Sequence, residues 1–307
     1  MQTLRIGTRG SRLALMQTNS VVKLLRQRRP DIDFEIKIVS TAGDIDRASS
    51  LAKIGGQGVF TKQIEIALFN GEIDVAVHSA KDLPSTDTPG LLIAAVPSRG
   101  PAEDAWICPS GESFDVIRPG AIVGTSSLRR RSMLLNLRHG LVVRDVRGNI
   151  ETRLAKLDDR LFDALVMACA GLERLNMGHR ITARLPFDLF VPAPGQGALA
   201  VQARENDPDT VTILSQIDDS VSHRCLDIER LLLLKLDAGC AAAVGGLAQI
   251  VGKRIVLQAA VLDRDGERRL FASSTISFSD RDEVLAEAVT KSLFGQGARA
   301  LIDQQHD

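Results

Sequence analysis

The sequence predicts an α/β protein with two lobes around a cleft, followed by a small C-terminal α+β domain. Three observations carry this expectation. Short apolar runs alternate with helical patterns, and polar clusters recur where a strand gives way to a helix. Two Pro/Gly-rich stretches, Pro97-Ser98-Arg99-Gly100-Pro101 and Val191 to Gly197, interrupt that alternation as crossings between lobes. From Ala248 onward the pattern becomes consecutive strands with a hairpin turn. At 307 residues the chain also exceeds what one core usually supports.

Taken in order, Thr3 to Thr8 reads as a strand ending at Arg9-Gly10-Ser11, and Leu13 to Arg28 as a helix stopped by Pro30. Asp33 to Ser40 alternates as a second strand. Leu51 to Phe60 contains Lys53-Ile54-Gly55-Gly56-Gln57-Gly58, a glycine-dense loop before a helix over Thr61 to Asn70. Such a loop lets backbone approach a ligand or serves as a connector or lid, and it lacks the Lys-Ser/Thr ending of a nucleotide loop. Asp74 to His78 is a short buried-type strand followed by Ser79-Ala80-Lys81-Asp82-Leu83-Pro84, where Pro84 bars a continuing helix. Leu91 to Val96 is a further strand, after which the first crossing falls.

The second lobe begins with apolar Trp106-Ile107-Cys108, and Ala121-Ile122-Val123 leads into Gly124-Thr125-Ser126-Ser127-Leu128-Arg129-Arg130-Arg131-Ser132. That is a strand, a polar turn and a helix start over Leu128 to Leu137, with Thr125, Ser126 or Ser127 available as caps. Three consecutive helical arginines fan over roughly 200°, so at most two can face one ligand, and Arg129 with Arg130 is the expected pair. Strand Leu141 to Arg144 precedes Arg147-Gly148-Asn149 and a helix over Ile150 to Asp158 carrying Arg153. Strand Ala164 to Met167 precedes a helix at Ala170-Gly171-Leu172-Glu173-Arg174. Past the second crossing come strand Ala198 to Ala203 and a Leu-rich helix, Ser220 to Leu236, closed by Asp237-Ala238-Gly239-Cys240-Ala241-Ala242-Ala243. Strands over Ala248 to Val251, Ile255 to Leu262 and Leu270 to Ser277, with Asp263-Arg264-Asp265-Gly266 as a turn, and a helix over Asp282 to Phe294 complete the tail.

Strand-end polar residues gather as Arg9, Ser11, Lys81, Asp82, Thr125, Ser127, Arg129, Arg130, Arg147, Arg153 and Arg174. In a chain with 38 basic and 38 acidic side chains, this grouping focuses positive field at one place and suits a small ligand bearing several carboxylates. Arginine's planar fork matches carboxylate or phosphate bidentately. Asp82 is the obvious acid-base or cation-stabilising group, although a surface ion pair with Lys81 is the plain alternative. His78 reads as a satisfied core residue.

Zero net charge, 4% aromatic content, one Trp and no Tyr argue against a nucleic-acid binder. No apolar run has membrane length, and a cytoplasmic location is expected. Cys108, Cys169, Cys225 and Cys240 form neither a zinc pattern nor a disulfide framework, so no metal is expected. Cys108 and Cys169 read as core. Cys240, beside Gly239 and alanines, is either an accessible thiol or a structural one.

Together these residues resemble the porphobilinogen deaminase (hydroxymethylbilane synthase) family. The matching segments are Leu4 to Gln17, Leu51 to Pro84, Val123 to Arg130, Arg144 to Leu157, Ala168 to Leu175, Pro192 to Gly197 and Gly239-Cys240. The resemblance implies periplasmic-binding-protein-like lobes. Domain 1 would comprise 1–97 with 198–216, domain 2 would comprise 102–191, and domain 3 would comprise 220–307 and carry the cysteine. It implies a transferase that joins four porphobilinogen molecules head to tail, losing ammonia each time, and releases hydroxymethylbilane. It further implies a dipyrromethane cofactor in thioether linkage to Cys240, with Asp82 catalytic. Lys81, Ser11, Thr125, Ser127, Arg129 and Arg130 would hold the cofactor, with Arg147 and Arg153 serving both cofactor and substrate. Arg9, Arg174, Gln17, Phe60 and Gln196 would bind pyrroles, and a monomer is expected. Ala42 and Gln57 stand where the family more often has basic residues, and Ala238, Ala241 and Ala243 replace its Gly, Gln and Pro. A non-catalytic two-lobed binder of a polycarboxylated small molecule is the alternative; it would need the arginines but neither Asp82 nor Cys240.

Overall fold

The structure is a computed structural model that describes residues 3–40, 61–238 and 242–305. The chain forms two compact units, Met1–Gly100 with Ala198–Leu226, and Pro101–Gly197 with Asp227–Asp307. In chain order the elements are β1 (Thr3–Thr8), α1 (Arg12–Arg28), β2 (Asp33–Ile38), α2 (Lys62–Phe69), β3 (Val75–Ser79), a 3-10 turn (Ala80–Asp82) and β4 (Leu91–Ala95). Next come β5 (Asp104–Ile107), β6 (Ile122–Gly124), α3 (Leu128–Leu137), β7 (Val142–Arg144), α4 (Ile150–Asp158), β8 (Ala164–Ala168), α5 (Cys169–Arg174) and β9 (Ala183–Leu185). The remainder is β10 (Leu199–Arg204), α6 (Pro208–Ser215), α7 (Ser220–Leu236), β11 (Val244–Val251), β12 (Arg254–Leu262), β13 (Arg269–Ser277), α8 (Asp282–Gly295) and α9 (Ala298–Asp303).

The first unit holds a sheet of order β2-β1-β3-β10-β4, and the second a sheet of order β7-β6-β8-β5-β9. The two have the same plan. β1 pairs in parallel with β2 and β3, as β6 does with β7 and β8, while β10 and β5 run antiparallel to both of their neighbours. Each antiparallel strand is the first strand after a crossing of the chain. The central strands are buried on both faces, which is why Val75 to Val77 and Ala164 to Met167 read as continuous apolar runs rather than alternating ones.

Helix α1 begins where Ser11 accepts a hydrogen bond from the Ala14 N–H, and it lays Val21, Val22 and Leu25 against β1 and β3. Helix α3 starts in the same manner. Its cap is Ser127, which accepts from the Arg130 N–H, while Thr125 Oγ1 accepts from the Ser127 N–H and Ser126 Oγ bridges to the backbone of Val146. Gly124 is closely packed: a Cβ there would lie 2.5 Å from Leu165 Cδ2 and 2.9 Å from Phe162 Cδ1, so these side chains would have to shift to admit one.

Three departures from the sequence expectation have local causes. β11 starts at Val244, four residues earlier than expected, because Gly245 and Gly246 belong to the strand. A Cβ on Gly245 would meet the Val191 carbonyl oxygen at 2.6 Å, so this strand is glycine-rich for close approach and not for turning. The sequence expectation gave no bounds for helix α6, although Asp207 caps it through the Thr210 N–H and Pro208 occupies its first turn. β9, at three residues, is too short to carry a periodic signal. The C-terminal sheet, β11-β12-β13, contributes Ala243, Ala260 and Leu262 to the same core as Trp106, Phe190 and Val191. Cys108, Cys169 and Cys225 are buried thiols.

Candidate active site

In the first unit, the carboxyl ends of β1 and β3 and the start of α1 enclose a cavity of about 60 Å³. Arg9, Ser11, Gln17 and Asp82 line it, as do Ser79 and His78. This is the position in an open α/β sheet where ligands bind. Gln17 is buried and donates from Nε2 to Ser79 Oγ at 2.8 Å, so α1 and β3 are tied together in the cavity wall. Asp82 is exposed, on the 3-10 turn that Pro84 keeps from becoming a helix, with Lys81 next to it half-buried. His78, only 5% exposed, departs from the satisfied core histidine that was expected, because its Nε2 has no hydrogen-bond partner. Burial pushes its imidazole down to about 4, and the charge of Arg9 adds to that. Gln202 opposes it from close by without reaching hydrogen-bond geometry.

The second unit holds the arginine cluster. Arg129 and Arg130 do converge, and the group they converge on is Asp104, a residue sequence reasoning passed over. Asp104 is fully buried at the start of β5. Arg129 Nη2 lies 2.8 Å from its Oδ2, Arg130 Nη2 lies 2.7 Å from its Oδ1, and Arg130 Nε donates to Oδ1 at 2.8 Å. Gln196 completes the network, donating from Nε2 to Asp104 Oδ1 at 3.0 Å and to the Ala102 carbonyl, and accepting from Arg130 Nη2 at 3.1 Å. Burial alone would push the Asp104 carboxyl up, but Arg129, Arg130 and Gln196 outweigh it and hold the group below its ordinary value. Arg131 turns away to the Val143 carbonyl, as helical geometry requires. The signal for Asp104 was available, since an acidic residue opening an apolar strand is costly unless paired, yet it falls between the crossing that ends at Pro101 and the apolar run that begins at Trp106.

Two buried arginines against one carboxylate leave a net positive charge, and two more arginines add to it. Arg153 donates to the Gly148 carbonyl at 2.8 Å, and Arg174 to the Gly197 carbonyl at 2.7 Å. Neither forms an ion pair with a carboxylate among the described residues. Burial, then the charge of Arg130, push Arg153 down to about 10, and burial lowers Arg174 against the pull of Glu173. Burial of a guanidinium without an ion-paired carboxylate disfavours its charged form. Arg129 contacts Asp104, the Val191 carbonyl at 2.8 Å and the face of Phe190. Thr125 is buried, Ser127 caps α3, and Arg147 is half-buried before Gly148, whose left-handed φ of 111° opens the turn into α4. Phe60 and Cys240 lie outside the described residues, as do Ala42, Gln57 and Ala241. Ala238 and Ala243, on either side of the cysteine, are buried. No group of acidic, His and Cys side chains suited to a metal ion occurs among the described residues.

The fold and these clusters define a class: an α/β protein with a cavity at the carboxyl ends of its strands and a separate cluster of arginines suited to anionic groups. Residues 4–212 match the family description "Porphobilinogen deaminase, dipyromethane cofactor binding domain", and residues 223–294 match "Porphobilinogen deaminase, C-terminal domain". The chain is 43% identical over 297 residues to porphobilinogen deaminase of Desulforudis audaxviator, covering 97% of this chain and 96% of that one. It is 43% identical over 306 residues to that of a Geobacillus species, covering 99% and 97%. Among solved structures it is similar to a periplasmic solute-binding protein of Desulfovibrio salexigens, with 10% identity, 71% and 72% coverage and a TM-score of 0.43. A Salmonella typhimurium periplasmic binding protein gives 11% identity, 73% and 94% coverage and a TM-score of 0.41. The chain belongs to the porphobilinogen deaminase family, hydroxymethylbilane-forming transferases of tetrapyrrole synthesis.

Proposed function

We propose that the two clusters divide the family's reaction between them, the Asp82 cavity serving bond cleavage and the arginine cluster holding carboxylates. The observation that carries this is the excess of guanidinium charge: Arg129 and Arg130 share the single carboxylate of Asp104, and Arg153 and Arg174 are held by backbone carbonyls without an ion pair of their own. Each porphobilinogen ring carries an acetate and a propionate, and bidentate guanidinium groups match them.

The same donor set fits the family's dipyrromethane cofactor, whose rings bear the same carboxylates. When bound, that group supplies the primer to which pyrroles are added. Ser11, Lys81, Thr125, Ser127, Arg129 and Arg130 would hold it, Arg147 and Arg153 would serve cofactor and substrate alike, and Cys240 would carry the thioether. Arg9, Arg174, Gln17, Phe60 and Gln196 would bind the incoming or growing pyrroles. Asp82 is the catalytic residue in this reading. As ammonia leaves, positive charge develops on the substrate's pyrrole, and a carboxylate accepting from the ring N–H stabilises it. Residues 1–97 with 198–216, residues 102–191 and residues 220–307 would then act as three domains of a cytoplasmic monomer. No helix among the described residues is long and apolar enough to cross a membrane.

The test is the intact mass of the denatured protein, followed by peptide mapping around Cys240. An increment of two linked pyrrole units on that peptide is expected. An unmodified Cys240 that stays unmodified after incubation with porphobilinogen removes the proposed attachment.

A further inference from the structure

We infer that His78 is a further substrate-binding residue, whose Nδ1 accepts a hydrogen bond from the aminomethyl nitrogen that leaves as ammonia. This rests on the reading of the Asp82 cavity as the place of bond cleavage. His78 lines that cavity from β3, on the strand face that looks toward α2. The buried side chains behind it fix its proton. Gln202 donates from Nε2 to Glu65 Oε1 at 3.2 Å, and because a carboxylate only accepts, the amide oxygen of Gln202 must face the other way. That oxygen and His78 Nε2 are both buried and without a hydrogen-bond partner, and Gln202 is near enough to His78 to favour its protonated form. The two atoms lie near each other but outside hydrogen-bond geometry, and one arrangement suits both: Nε2 carries the proton on the side of the Gln202 oxygen, which leaves Nδ1 as the ring's acceptor. Thr61 Oγ1, on the same cavity and fully buried, also lacks a partner.

The chemistry explains why this acceptor is neutral. Cleavage breaks the C–N bond of the protonated aminomethyl group. The electron pair passes to nitrogen, ammonia departs with three hydrogens, and the positive charge remains on the ring beside Asp82. A neutral imidazole that accepts at Nδ1 can bind the N–H groups before and after this step without taking or giving a proton. A second carboxylate would hold the nitrogen as a cation and oppose its release. Burial and the charge of Arg9 keep the imidazole neutral in this place.

The test uses the enzyme as purified. Porphobilinogen turnover is measured against inhibition by an analogue in which a methyl group replaces the aminomethyl group. His78→Phe should raise KM for porphobilinogen about tenfold while leaving Ki of the analogue within about twofold, and His78→Asn, with an amide oxygen near the Nδ1 position, should recover most of the loss. A parallel rise in KM and Ki, or no change in either, overturns the inference. Nitrogen-15 NMR of the wild-type imidazole gives a readout independent of turnover: protonated Nε2 and unprotonated Nδ1 are expected, and the opposite tautomer refutes the assignment. Asp82→Asn separates the two readings. Normal turnover in that variant removes both, whereas slow turnover there beside a His78→Phe enzyme with unaltered KM removes the His78 assignment alone.

Discussion

His78 gives the chain a calculable pH dependence of stability. In the folded state the imidazole takes up a proton only near pH 4, against an ordinary value of 6.5. Between those values the unfolded chain binds a proton that the folded chain refuses, so stability is complete above about pH 6.5 and falls as pH drops toward 4. One unit of displacement corresponds to about 1.4 kcal/mol, which makes the loss between pH 7 and pH 5 about 2 kcal/mol from this residue alone. His78→Phe removes the titrating group while filling much of its volume. Urea unfolding of wild type and variant, followed by far-UV circular dichroism at pH 7, 6 and 5, isolates the effect because every other titrating group is common to both. The wild type should lose about 2 kcal/mol more than the variant across that range. Identical losses would refute the argument and mean that the imidazole is protonated in the fold, with a proton acceptor that has gone unrecognised.

The other predictions concern the arginine cluster and the backbone that supports it. Asp104→Asn leaves Arg129 and Arg130 buried without their counter-charge and should cost about 3–5 kcal/mol in denaturant unfolding. Arg153→Leu should leave stability little changed, because its partner is an exposed-turn carbonyl, yet should stall chain growth, visible as unfinished covalent intermediates by mass. Asp82→Asn should fold and bind porphobilinogen but turn over slowly, and normal kcat would remove it from the mechanism. Gly266→Ala should destabilise by about 2–4 kcal/mol, since a Cβ there strains a φ of 70° and meets the Ser132 carbonyl oxygen at 2.4 Å; Gly111→Ala, at a φ of 79° with open space around it, should cost only the backbone strain of about 1 kcal/mol.

Much of the fold was legible because its signals are local. The bounds of α3, α4 and α7 follow from a polar turn before each apolar periodicity, and the hairpin at Asp263 to Gly266 follows from its turn residues. What escaped depends on long-range pairing. Nothing local announces that β5 and β10, each following a crossing, enter their sheets antiparallel. Nor does anything local distinguish Gly245 and Gly246, pressed against Val191 and Leu232, from the glycines of a loop. The cation list was readable from strand ends, yet Asp104 was not, because a single acidic residue becomes informative only once its burial is known. His78 escaped for the same reason: its unmet Nε2 is a property of Gln202 and Glu65, far away in sequence.

The second crossing shows how such pairing changes the meaning of a motif. In sequence, Val191 to Gly197 looks like a Pro/Gly connector, an element whose backbone would be solvated. In the structure its main chain is committed to the charged core of the second unit. The Val191 carbonyl accepts from Arg129, the Gly197 carbonyl from Arg174, and the Gly195 N–H donates to the buried Glu229 at 2.6 Å, which also holds the Ala248 N–H at 2.9 Å. Gln196, between them, joins Asp104 to Arg130. The left-handed φ of Gly195 and Gly197, 75° and 87°, lets consecutive peptide groups face different partners, which a side-chain-bearing residue would resist. The prolines and glycines of this stretch therefore set the positions of the arginines. A substitution such as Gly197→Ala should act on the cluster rather than on a hinge, lowering the affinity for carboxylated pyrroles together with stability. An effect on neither would mean that Arg174 finds its place without the crossing.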